Sequence, residues 1–115
     1  MTHTTMELPM EIMSDGPVLL LSGDLDVRST MQVRTAVREL LGTYGEVTID
    51  LSRVETADVT ALKVLAAATV QAIRDGHHLA LRDPSPAVRR LLHLSRLNRV
   101  VEVHRDPRRA VADVG

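Results

Sequence analysis

Met6, Leu8, Met10 and Ile12 alternate with Glu7, Pro9 and Glu11, a period of two that predicts a half-buried strand. Pro9 has no N–H to give to a neighbour, which places this strand at a sheet edge. Ser14 to Pro17 is turn chemistry, and the apolar run at 18–22 predicts a second, more buried strand, so the two form a hairpin. Beyond Gly23-Asp24-Leu25-Asp26 the period changes. Val33, Ala36, Val37, Leu40 and Leu41 fall on one face of a helix, with Arg34, Arg38 and Glu39 off it. Asp26 lies where its carboxylate would satisfy free N–H groups at the helix start, and Gly42 and Gly45 end the segment.

The β-branched stretch at 47–51 predicts a short strand. In the helix that follows, Leu62, Leu65, Ala66, Thr69 and Ile73 share a face, and Gly76 is a natural stop. Residues 78–82 predict another strand. Ser85 as cap with Pro86 at the first helical position announces the next helix, whose apolar face is Val88, Leu91 and Leu92. Residues 100–103 predict the last strand, and Asp106-Pro107 repeats the cap-then-proline signature before a short terminal helix. The predicted order is β-β-α-β-α-β-α-β-α. Strands alternating with helices imply parallel pairs joined by crossovers, and the opening hairpin makes the sheet mixed. The expected fold is one α/β domain over residues 1–115, with a core about 6–113 and a mostly parallel sheet of about five strands with about four helices.

Composition narrows the function. At 115 residues, 44% hydrophobic and 25% charged, the chain is that of an ordinary globule with enough length for its own core. Phe and Trp are absent, so that core must be built from Leu, Val, Ile, Met and Ala. A net charge of −1 and 1% aromatic residues argue against a nucleic-acid surface, which needs basic charge and stacking rings. The absence of Cys removes disulfides and thiolate metal sites. No leader pattern and no apolar run of the ~20 residues that span a bilayer is present, and the expected location is the cytoplasm, with no membrane insertion.

Catalytic and cofactor signatures are missing. There is no Gly-rich loop ending in Lys-Ser/Thr, no dinucleotide fingerprint and no Ser on a nucleophile elbow. His77 and His78 would point to opposite faces of a strand, and neither His93 nor His104 has a partner at ligand spacing. No catalytic residue, metal site or cofactor is expected.

Asp58-Val59-Thr60 stands out instead. Asp58 at an N-cap would accept hydrogen bonds from free backbone donors, and Thr60 would sit near the second helical position. A phosphate on its hydroxyl would add about −1.5 to −2 charges where helix N–H groups tolerate them, so the helix would not melt. The residues alone favour a plain cap, with Thr60 merely filling the turn.

Four stretches resemble the STAS domain of bacterial anti-sigma factor antagonists: Gly23–Thr30, Val47–Leu62, Pro84–His104 and Asp106–Val114. The second is similar to that family's strand followed by Asp-Ser-Ser-Gly-Leu. The resemblance implies a STAS fold in which the second hydroxyl of that motif is phosphorylated by an anti-sigma factor that is also a serine/threonine kinase. The partner, not the antagonist, binds ATP and Mg²⁺. Carried over, Asp58 matches the motif's Asp, Thr60 the phosphoacceptor, Leu62 the final Leu, and Asp26 the Asp of the earlier segment beside the acceptor. Val59 stands for the first Ser and Ala61 for the Gly, and Arg96 occupies a position that is commonly Gly in relatives. The expected partner surface is Asp26, Asp58, Val59, Thr60, Ala61, Leu62 and Lys63. Arg28 and Lys63 are further candidates for charge contacts.

Two other readings compete. Val59 and Ala61 favour a STAS module that is never phosphorylated, in a stress-signalling scaffold or a lipid-transport ABC complex. Binding of nucleotide or lipid ranks below both, since no phosphate-cradling loop or aromatic pocket is present. The oligomeric state stays open.

Overall fold

The computed structural model describes residues 10–105. β1 (Met10–Asp15) and β2 (Val18–Leu25) are antiparallel, joined through Gly16, whose φ of +58° suits a residue without Cβ. There follow α1 (Thr30–Tyr44), β3 (Glu46–Ala57), α2 (Val59–Arg74), β4 (His78–Arg82), α3 (Pro86–Leu94), a 3-10 turn (Leu97–Arg99) and β5 (Val103–His104). The sheet runs β1-β2-β3-β4-β5, with every pair after the first parallel, so β1 is an edge strand as expected. The predicted α/β class, mixed sheet and strand count therefore hold. The fourth helix expected after Asp106, the strand residues Met6 to Pro9 and the outer limits of the expected core lie outside the described residues.

Strand alternation decides which side chains are buried. Leu19 and Leu21 of β2, Val47, Ile49 and Leu51 of β3, and Leu79 and Leu81 of β4 point to one face. They form one cluster with Val33 and Val37 of α1, Leu62 and Leu65 of α2, and Val88 and Leu92 of α3. Between them on the opposite face lies an ion pair. The Asp50 carboxylate, 3% exposed, accepts from Arg82 Nη2 at 2.7 Å and from the Ser52 hydroxyl at 2.6 Å. Burial works to raise the Asp50 pKa, and the Ser52 hydroxyl and N–H with the Arg82 guanidinium outweigh it, holding the group below the usual carboxylate range.

Three boundaries differ from the sequence reading. β3 spans 12 residues, where a strand of 47–51 was expected. It continues past Leu51 because its pairing with β2 persists to Ala57, through register shifts between Leu20 and Ser22 and between Gly23 and Asp24. These bulges break the alternation that would have marked the strand. The last strand is only Val103–His104, because the N–H groups of Val100 and Val101 both donate to Leu97 O and close the 3-10 turn. Gly42 is inside α1, which ends instead at Gly45 in the left-handed region, φ +76°.

Candidate functional site

β2 and β3 end side by side, with Leu25 paired to Ala57 and the Asp58 N–H donating to Leu25 O at 3.1 Å. The carboxyl ends of adjacent parallel strands are where such sheets place their functional loops. A side-chain bond one pair earlier ties the same ends together: Thr56 Oγ1 donates to Asp24 Oδ1 at 2.7 Å. Asp24 was not singled out from the sequence, and only the register reveals it.

Asp58 is the N-cap of α2, extended at φ −115° and ψ 160°, and its Oδ1 accepts from the Ala61 N–H at 2.7 Å. That bond satisfies one of the free donors of the first turn. Val59 and Thr60 are therefore the first and second helical residues. Thr60 is exposed, and its hydroxyl makes no hydrogen bond among the described residues. Val59 is half-buried and Lys63, one turn on, is exposed. Ala61 and Leu62 are 0% and 1% exposed, so their side chains turn into the core and offer a partner no side-chain surface.

Asp26 is half-buried beside this turn but does not cap α1. Its carboxylate accepts from the Arg28 N–H at 2.9 Å and from Arg28 Nη2 at 2.6 Å, and this bonding holds it below the usual carboxylate range. The residue before α1 is Ser29, fully buried, whose hydroxyl accepts from the Asp26 N–H at 3.1 Å. Arg28 thus satisfies Asp26 internally. Among the described residues Lys63 has no such partner. Thr60 thus sits in the first turn of α2, whose cap Asp58 is bonded to the end of β2, while the Asp24 carboxylate is engaged by Thr56 and that of Asp26 by Arg28.

Away from this turn, Glu102 lies between two histidines. Its carboxylate is 3.0 Å from His78 Nε2 and also contacts His104 Nε2. His78 and then His104 hold the Glu102 carboxyl below its usual range. Residue spacing did not point to this cluster, which exists because β4 and β5 pair in parallel. No group of three or more His, Cys, Asp or Glu among the described residues is arranged to hold a metal ion. No helix among them is long and apolar enough to cross a membrane.

A family model described as "Mlab, STAS domain" matches residues 10–102. Among curated proteins, none matches the sequence. Solved structures share the fold. An anti-sigma factor antagonist of Mycobacterium paratuberculosis superposes with a TM-score of 0.65 at 24% identity, covering 91% of this chain and 92% of its own. The anti-sigma factor antagonist SpoIIAA in its unphosphorylated form gives 0.63 at 16% identity, covering 91% of this chain and 95% of its own. The Bacillus cell fate determinant SpoIIAA in the phosphorylated form gives 0.60 at 16% identity, covering 92% and 99%.

Proposed function

The chain belongs to the STAS domain family, which its residues 10–102 match, and on that premise we propose that it is an antagonist of an anti-sigma factor, switched by phosphorylation at Thr60. Its partner is an anti-sigma factor with serine/threonine kinase activity, and the outcome is regulation of sigma-factor-dependent transcription. The observation that carries this reading is the exposed, unbonded Thr60 hydroxyl in the first turn of a helix whose cap is already made. In the transfer, Thr60 Oγ1 attacks the γ-phosphorus of ATP held by the kinase. An O–P bond forms, the bond to the ADP oxygen breaks, and a base on the kinase takes the hydroxyl proton.

The product carries about −1.5 to −2 charges at the N-terminus of α2. Backbone donors and the helix dipole accommodate them, so the domain stays folded. A partner seated on this turn meets the new charge beside Asp58, Asp26 and Asp24 and is repelled. The test is a pull-down from native cytosol with wild type, Thr60→Ala and Thr60→Glu as baits. Recovery of an ATPase-fold anti-sigma kinase by wild type and Ala but not by Glu is expected. Equal recovery of that kinase by Ala and Glu overturns the switch.

Val59 and Ala61 support a second reading, a constitutive docking module. Thr60 is the one hydroxyl of the turn, and Ala61 adds a methyl where the family pattern has Gly. Under this reading all three baits recover the same scaffold or transporter subunits.

A further inference from the structure

The seam between α1 and α2 is open. Arg34, Val37, Arg38 and Leu41 form one wall and Val64, Ala67 and Ala68 the other, enclosing a groove of about 350 Å³. Its floor is small and apolar, with Ala67 exposed and Val64 and Ala68 half-buried. Arg34 and Arg38 are exposed and make no ion pair or side-chain hydrogen bond among the described residues. The acid at the groove's far end, Asp75, already accepts from Gln71 Nε2 at 3.1 Å.

Two features make this more than a solvated face. Arg34 and Arg38 stand one helical turn apart, a like-charge spacing that works against α1 as an isolated helix. A local choice that opposes its own element points to use by something else. The chain as a whole also carries −1, so this basic rim runs against the general charge.

We propose that the α1/α2 groove is a docking site for an acidic amphipathic helix of a protein partner, with carboxylates one turn apart facing Arg34 and Arg38. The groove runs along the α2 side from Val64 to Asp75, about 17 Å, room for about three turns of a third helix. Such a helix lays apolar side chains spaced i, i+3, i+4 and i+7 on the alanine floor, and arginine forks take its carboxylates. A bilayer fits less well. Holding a protein on anionic lipid takes clusters of about four to eight basic residues, and a recessed floor does not meet a flat surface. The proposal is independent of Thr60 modification, since the groove begins one turn further along α2.

The experiment uses the full chain, isotopically labelled, and two 18-residue capped peptides. Each carries Leu along one helical face and, flanking it, either Glu or Lys at two positions one turn apart. The Glu peptide is expected to bind saturably, shifting backbone signals of Val64, Ala67 and Ala68, and to bind at least tenfold more tightly than the Lys peptide. In the Arg34→Glu/Arg38→Glu variant the preference should reverse, a result that loss of fold cannot mimic. Thr60→Ala and Thr60→Glu should bind the Glu peptide alike. Equal affinity for both peptides, a preference unmoved by the double variant, or shifts mapping elsewhere overturns the proposal. So does a concentration-dependent shift of the groove signals without peptide, which makes the occupant a second copy presenting Glu11 and Glu39. Groove shifts with phosphatidylserine vesicles and none with peptide make it a membrane surface and overturn it equally.

Discussion

Asp58 has two separable effects on α2, and substitution can weigh them. Its Oδ1 accepts from the Ala61 N–H at 2.7 Å, and its charge sits at the positive end of a 16-residue helix that has no acid in its first turn. Replacing an N-cap acceptor by Ala costs about 1 kcal/mol. The charge at the helix end adds about 0.3–1 kcal/mol. Asp58→Ala loses both, about 1.3–2 kcal/mol, whereas Asp58→Asn keeps the acceptor and loses only the second. With a urea slope of about 1–3 kcal/mol per molar for a small domain, the Ala midpoint falls by about 1 M and the Asn midpoint by about 0.3 M. In 1 M salt the Asn deficit should vanish through screening while most of the Ala deficit persists. Equal shifts for Ala and Asn would refute the hydrogen-bonded cap as the main contribution. An unchanged Ala midpoint would refute the cap altogether.

Arg96 holds a left-handed backbone, φ 62°, at the start of the 3-10 turn, a conformation costing a side-chain-bearing residue about 1–2 kcal/mol. Arg96→Gly removes that strain against a smaller loss of chain entropy, so the urea midpoint should rise by about 0.5–1 kcal/mol equivalent, and a fall counts against it. Arg82→Ala takes two guanidinium bonds from the buried Asp50 carboxylate. Arg82 is 34% exposed and the Ser52 bonds remain, so the expected cost is about 2 kcal/mol, below that for a wholly buried pair. Because the Asp50 pKa is lowered in the fold, its contribution is present above the unfolded value of about 3.9 and lost as pH falls through the folded value. Arg82→Ala should therefore unfold in acid at a higher pH than wild type, read by circular dichroism. Thr60→Glu puts an acid where the dipole welcomes one, and its thermal midpoint should match or exceed wild type; a drop of more than about 1 kcal/mol equivalent would mean that weakened partner binding reflects damage rather than charge.

What could be read in advance was whatever is written locally. Ser85 followed by Pro86 opens α3 as expected, with the Ser85 hydroxyl accepting from the Val88 N–H. Residues 78–82 form β4 to the residue, and Asp58 caps α2. What depended on the register between distant strands could not be read. The continuation of β3 is hidden by two bulges, and Asp50 meets Arg82 across 32 positions. Asp24 reaches Thr56 across the same separation. Asp26 misled for a nearer reason: the adjacent Arg28 offers it three donors, which outcompete backbone groups further along the chain. At this turn the spacing placed Thr60 near the second helical position and Leu62 on the apolar face, while the exposure of Thr60 and the full burial of Ala61 came from the structure.

That separation bears on how a signal at this turn would be read. The backbone below Thr60 is held from both sides, by the Asp58 N–H on Leu25 and by the cap on Ala61, and the next two side chains are in the core. A charge placed on the Thr60 oxygen therefore has favourable helix donors and no buried neighbour to displace. Ligands and modifications shift a conformational equilibrium only by their differential interaction with its two states. Nothing in the bonding of the described residues at this turn requires a second arrangement for the charge to favour. The difference between modified and unmodified chains is then a difference in surface potential, and the partner has to supply the discrimination. If the proposed partner's footprint centres on Asp58 and Thr60, a negative group there costs most when desolvated, so a partner that buries this turn tightly would release most sharply. A docking helix in the α1/α2 groove, one turn away and bound by opposite charge, would meanwhile leave the partner tethered near the same surface.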